Sequence, residues 1–567
     1  MMTRVLTLVF NKDKNREMKI KNKIPIALVI IICAFVNTSA QKTYTNPIIP
    51  ADYSDPDVIR VGDDYYMTSS SFNMVPGLPV LHSKDLINWK IIGHGVQQLP
   101  DALYTYARRK ENELNYNLPR HGKGVFAPCI RYHDNLFWIF WADPDAGVYM
   151  IKAKKPEGPW SKPHLVKKAH GWIDPSPLWD KETGRAWLSY AYAFSRSGIN
   201  SRIAVAEMSW DGTELLSYDK VVFDANDREK YPADREHFVI EGTKFMQRNG
   251  YYYILCPAGE VSTGWQTALR SKNPEGPYEI KVICETGSTN INGPHQGGLF
   301  DTPNGEWWFV HFQSVNVLGR IVWLQPAKWV NDWPVIGIDH DRNGTGYPVK
   351  EYPIPNTGYT GSQFTIEVDD EFRGKDIDLQ WQWPANSGMK YCSQQNGKLT
   401  IMSYPSSNLT LDNAPNVITQ MFPDFKFTVT AKVKLISDES ITRGGLSVMG
   451  RTCFDIGIES NNGNLVLSAR TGTKQDTSIT IKNNEIFLRL ESKSEHPLPL
   501  MKQGEINRGN VYCQFSYSYD GISYQSFGST FQATAGEWIG ARVGLYCLSN
   551  KSKKSHLLVD SFYINNK

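Results

Sequence analysis

The chain is poor in the features that mark several large protein classes. Its eight cysteines in 567 residues include no CxxC pair, so neither a zinc site nor a disulfide framework is expected. Basic and acidic residues almost cancel, 61 against 58, and no Lys/Arg run stands out beyond residue 40. A nucleic-acid binder would carry a basic footprint, so no nucleic-acid partner is expected. No long stretch repeats at helical spacing. The apolar run from Ile24 to Val36 is too short to span a bilayer comfortably.

Aromatic and turn-forming residues are what the chain has in quantity. Aromatics reach 12%, with 17 Trp and 28 Tyr, beside 44 Gly and 32 Pro. Hydrophobic residues at 41% and charged residues at 21% fit a globular protein with large cores. The composition favours a turn-rich β protein, in which exposed rings often serve as sugar-binding surfaces. A length of 567 residues suggests two or three domains.

The N-terminus reads as an address. Lys19, Lys21 and Lys23 precede the apolar run, and Thr38-Ser39-Ala40 follows it with small residues suited to cleavage. Residues 1–40 are therefore expected to be a signal peptide, with export to a periplasm. Cys33 lacks the preceding small residue that lipid attachment needs. Export permits disulfides, but the seven remaining cysteines are odd in number and are expected to be mostly buried free thiols.

Five hairpins of one design occupy 41–354. They run from Asp55 to Ser69, Val125 to Phe140, Trp172 to Tyr190, Val239 to Leu255 and Gly293 to Val310, with turns such as Gly62-Asp63-Asp64, Asn249-Gly250 and Asn304-Gly305. A second element recurs after three of them. It appears as His82-Ser83-Lys84-Asp85-Leu86-Ile87-Asn88-Trp89, Lys154 to Trp160 and Ser271 to Tyr278, each ending in an aromatic. Units of several strands repeating every 50–70 residues or so predict a β-propeller, here of five blades. Residues 355–368 read as a linker. Alternating strands from 369 to 567 predict a second domain, a β-sandwich of the concanavalin-like or jelly-roll kind. The fold class is all-β.

Register then picks out candidate chemistry. Asp55, Asp174, Glu241 and His295 each lie some eight to ten residues before the turn of their own hairpin. The first strand of a propeller blade lines the central channel, so these groups converge on one pocket. Carboxylates crowded together raise one another's pKa, an arrangement that needs a functional reason. One use is glycoside hydrolysis, in which one carboxyl protonates the leaving oxygen while another activates water. Calcium binding by oxygen ligands, in the channel or in the sandwich, is the other use. Asp57 falls inside the strand and is expected to be structural.

The motifs resemble those of glycoside hydrolase family 43. They are Asn46-Pro47, Tyr53-Ser54-Asp55-Pro56-Asp57, Thr68-Ser69-Ser70-Ser71-Phe72, Pro76-Gly77, Phe126-Ala127-Pro128, Ile173-Asp174-Pro175-Ser176, Ile240-Glu241-Gly242 and Leu318-Gly319-Arg320, in the family's order. The resemblance implies that Asp55 is the general base, Glu241 the general acid and Asp174 the acid that tunes Glu241. It implies single-step inverting hydrolysis, with base and acid about 6.5–9.5 Å apart to admit a water. It further implies that Arg320 reaches the terminal sugar, that His295 lies near the channel centre, and that Phe72 and Phe126 form apolar walls. The chemistry requires no cofactor, and the partner is an oligosaccharide substrate rather than nucleic acid or a membrane. Exo-acting α-L-arabinofuranosidase is the first expectation and β-D-xylosidase the second. An endo-arabinanase and a non-catalytic sugar-binding propeller rank below them. The sandwich and the loop from Leu99 to Gly124 are expected to close one end of the channel, which favours exo action.

Overall fold

The computed structural model describes residues 42–101, 115–233, 235–289, 291, 293–438, 440–493, 510–551 and 554–566. The expected signal peptide at 1–40 lies outside the described residues. No helix among the described residues is long and apolar enough to cross a membrane.

The first half forms a five-bladed propeller of four-stranded antiparallel sheets. Blade I contains Asp57–Val61, Asp64–Thr68, Gly77–Ser83 and Trp89–Val96, and the innermost strands of blades II to V are Phe126–His133, Trp172–Asp180, Lys244–Arg248 and His295–Asp301. In each blade the first two strands are the hairpin read from the sequence. The second recurring element joins the third strand to the fourth in blades I, II and IV. Local hydrogen bonding explains that turn in blade I. The Ser83 hydroxyl accepts the Asp85 and Leu86 amides, the Asp85 carboxylate accepts those of Ile87 and Asn88, and Trp89 is thereby delivered into the core.

Polar side chains bind the innermost strands into a ring. Asp57 accepts the Ile130 amide and an Arg131 guanidinium N–H, both at 2.8 Å, so it joins blade I to blade II. Arg131 donates to the Ser176 hydroxyl of blade III, and that oxygen accepts the Phe245 amide of blade IV. Arg60 joins blade I to blade V with a two-pronged pair to Asp301, each contact 3.0 Å. Outside the ring, Thr43–Thr45 pairs with Glu351–Pro353 and brings the two ends of the propeller segment together.

The second half is a sandwich of two seven-stranded sheets. Its strand Thr428–Ile436 alternates buried and half-buried residues along its whole length, the pattern of a strand with one face in a core. One apolar cluster runs from Val75, Leu78 and Trp141 of the propeller through Trp381 and Trp383 to Val429, Leu488 and Leu545 of the sandwich. Val75 and Trp383 also exchange both backbone hydrogen bonds. The two halves therefore share a continuous core. All seven cysteines in the described residues are free thiols, six of them buried. Burial pushes Cys129 and Cys256 up to about 12, which removes the thiolate needed for reactivity.

Candidate active site

The innermost strands begin at one end of the channel, and a cavity of about 930 Å³ opens there. Asp55, Phe72, Phe126, Asp174, Glu241 and Arg320 all line it. A shared backbone device aims the acids. Pairing slips by a residue where the innermost strand starts in blades II, III and V. Asp55 and Asp174 adopt left-handed φ of 53° and 57° at the corresponding points, and Gly242 does so at 67°. Such a bulge re-aims a side chain, and Asp tolerates the left-handed region better than most residues. In blade IV glycine occupies the bulge, so Glu241 projects from one residue earlier.

Asp55 is tightly held. Its Oδ1 accepts an Arg320 guanidinium N–H at 2.7 Å and its Oδ2 accepts the Ser70 hydroxyl at 2.5 Å. Asp174 Oδ2 accepts the Gly242 amide at 2.6 Å, and its backbone carbonyl accepts the Thr243 hydroxyl. Through these bonds Asp174 fixes the turn that carries Glu241. No described residue donates a hydrogen bond to the Glu241 carboxyl, which is half-buried. Burial, and after it the charge of Asp174, pushes Glu241 up to about 8, against the lowering effect of Arg320. Burial also raises Asp174, to about 6, although the Gly242 amide opposes it. Of the two, Glu241 is the one that keeps its proton at neutral pH.

His295 does not line the cavity. It is wholly buried, and burial drives its imidazole down to about 3, so it is neutral. Its ring packs 5.4 Å from that of Phe312, over which the Arg320 guanidinium sits at 5.0 Å. The left-handed residue of blade V is the neighbouring Gln296, φ 45°, and this side chain does reach the cavity. Sequence reading favoured the titratable neighbour, and only the position of the bulge separates the two. Phe72 and Phe126, both lining the cavity, meet edge to face at 5.0 Å.

The far wall comes from the sandwich. Arg451, the 532–536 segment and Trp538 line the same cavity, and Trp538 stands 5.7 Å from the Arg320 guanidinium. Arg196 and Glu260 complete the propeller side. Sequence reading missed all of these, since none belongs to a repeated pattern. Of the loop from Leu99 to Gly124, residues 102–114 lie outside the described residues. Its described ends bind the sandwich, Leu99 donating to the Asn386 side chain while the Tyr116 carbonyl accepts the Asn386 amide. Among the described residues no group of three His, Cys, Asp or Glu could hold a metal ion.

Comparison with known proteins adds family context. The family profile described as Glycosyl hydrolases family 43 matches residues 44–334, and that of the Beta xylosidase C-terminal Concanavalin A-like domain matches 369–565. A Xylanibacter ruminicola protein provisionally named a beta-xylosidase is 38% identical over 91% of this chain and 88% of its own length. A non-reducing end alpha-L-arabinofuranosidase of Bacteroides ovatus is 30% identical over 80% of this chain and 83% of its own. The solved structure of the Bacteroides ovatus xyloglucan PUL GH43B protein superposes with a TM-score of 0.73 at 25% identity, covering 92% of this chain and all of that one.

Proposed function

Because the chain belongs to glycosyl hydrolase family 43, we propose that it is an exo-acting hydrolase that removes a terminal pentose from plant cell-wall oligosaccharides by inversion. The observation that carries this reading is the unlike condition of two carboxyls on one cavity. Asp55 is clamped by a guanidinium and a hydroxyl, while Glu241 is raised to about 8 and keeps its proton. Asp55 then takes a proton from a water as that water attacks the anomeric carbon. Glu241 gives its proton to the departing glycosidic oxygen as the bond to it breaks. Asp174 holds the Glu241 turn and raises the acid's pKa with its charge. Arg320 holds Asp55 and offers its remaining N–H groups to the sugar hydroxyls. Walls supplied by the sandwich and by Phe72 and Phe126 suit a pocket that admits a chain end rather than a groove that admits a chain middle.

β-D-Xylose is the first candidate for the released sugar, because the 38%-identical relative is named for it. The preference drawn from sequence alone placed α-L-arabinofuranose first. That second reading keeps the support of the 30%-identical arabinofuranosidase. Rates on paired aryl β-D-xylopyranoside and α-L-arabinofuranoside decide between them. A rate on the xyloside at least tenfold above that on the arabinofuranoside is expected, and the reverse ratio would install the second reading. Proton NMR of the first-formed sugar should show inverted configuration.

A further inference from the structure

Asp52 is 5% exposed, and no ion pair involving it occurs among the described residues. A buried carboxylate costs free energy unless hydrogen bonds replace its lost water. Its bonds go to three places. Oδ1 accepts the Ser54 hydroxyl at 2.8 Å and the Arg320 backbone amide at 2.9 Å, while Oδ2 accepts the Gly540 amide at 2.8 Å. Ser54 adjoins Asp55, Arg320 is the cation that clamps Asp55, and Gly540 lies two residues beyond Trp538. The junction is close-packed. A Cβ on Gly319 would lie 2.4 Å from the Asp52 carboxyl, and one on Gly540 would lie 2.7 Å from the Leu318 backbone. The Ala541 amide donates to the Val317 carbonyl at 2.7 Å beside it. Trp538 itself holds φ at 66°, a region costly for a bulky side chain, so its loop needs firm anchoring.

We propose that Asp52 is a positioning residue: one carboxylate fixes the Asp55 segment, the Arg320 segment and the Trp538 wall of the sandwich relative to one another. It thereby couples docking of the sandwich to the geometry of the water-activating side of the cavity. The inference rests on the proposed roles of Asp55 and Arg320. Asn is the informative replacement, because it matches the shape but cannot accept all three hydrogen bonds.

The test is a double-mutant cycle on full-length protein, with an aryl β-D-xylopyranoside and an aryl α-L-arabinofuranoside as probes. Asp52→Asn should lower kcat/KM about 10²-fold, the scale of a small misplacement of reacting groups. Trp538→Ala should act mainly through KM. In the double variant the effects should fall well short of multiplying, because the lost wall removes part of what Asp52 holds. Effects that multiply to within twofold would overturn the proposal, as would Asp52→Asn with wild-type kcat and KM. A general loss of stability would lower apparent kcat with the active fraction, leave KM unchanged and show no coupling to Trp538. If Asp52→Asn does not fold, Ser54→Ala takes its place in the cycle under the same criteria. Asp55→Asn in the same assays tests the parent reading separately: full activity there would sink the base assignment, whatever the cycle shows.

Discussion

Asp55 and Glu241 face one cavity from two kinds of surroundings. Asp55 enters from blade I on a left-handed kink, with an arginine on one oxygen and a serine on the other. Glu241 enters from blade IV beside a left-handed glycine, with no hydrogen-bond donor to its carboxyl among the described residues and with Asp174 nearby. Burial and a neighbouring negative charge favour the protonated form of an acid, and Glu241 has Asp174 beside it where Asp55 has Arg320. A single backbone device thus presents two carboxyls in unlike surroundings, and the proposed base and acid roles rest on that contrast. The proposed division of labour resides in neighbouring groups, Arg320 and Ser70 on one side and Asp174 on the other, not in the acids themselves.

The largest effects should come from breaking each side in turn. Glu241→Gln should lower kcat/KM on xylobiose or an arabino-oligosaccharide about 10³-fold, within the usual range for general acid–base groups. The loss should shrink sharply with an aryl group that departs without a proton. Asp55→Asn should cost a similar factor on every leaving group, since water activation is needed whatever departs. Equal losses for Glu241→Gln across leaving groups would erase the distinction between the two sides.

Arg320→Ala comes next, at about 10²-fold. It removes the clamp on Asp55 and a contact to the sugar. It also removes the cation that lowers the pKa of Glu241. With Glu241 as the proposed acid, activity should fall as pH rises through its pKa, so the alkaline limb of kcat/KM should move to higher pH in this variant. A limb that stays in place would show that Arg320 serves only the Asp55 side.

Much of this was legible in the sequence, for a physical reason. Hairpins have a two-residue period and turns have fixed chemistry, so five repeats announced five blades. Register also separated Asp55 from Asp57. The structure puts Asp57 between blades, on the Ile130 amide and Arg131, and Asp55 in the cavity. The same reasoning reached His295 in blade V but missed the adjacent Gln296, because a bulge shifts which residue faces inward and bulges leave no clear sequence mark. Trp538 and Arg451 left no sign either. They stand on loops of the sandwich, more than a hundred residues from the propeller motifs, and only the docking of two cores brings them to the cavity. Nor did a stretch resembling a linker reveal that Val75 and Trp383 share a strand-like bridge across it.

The smallest effect on rate should carry the finest information about the acid side. Asp174→Asn keeps an oxygen able to accept the Gly242 amide, so the turn that bears Glu241 survives while the charge is lost. Both acids are raised by burial, Glu241 further than Asp174, so Asp174 is the one that gives up its proton first and bears its charge as Glu241 titrates. A negative neighbour raises the pKa of an acid, and its removal lowers it. The alkaline limb of kcat/KM should consequently move to lower pH, opposite to the shift expected for Arg320→Ala, with a loss of about tenfold at the optimum. The pH profiles of the two variants, measured beside wild type, check both signs together. Limbs that stay in place in both variants would mean that Glu241 responds to burial alone, and that the contrast with Asp55 owes nothing to the neighbouring charges.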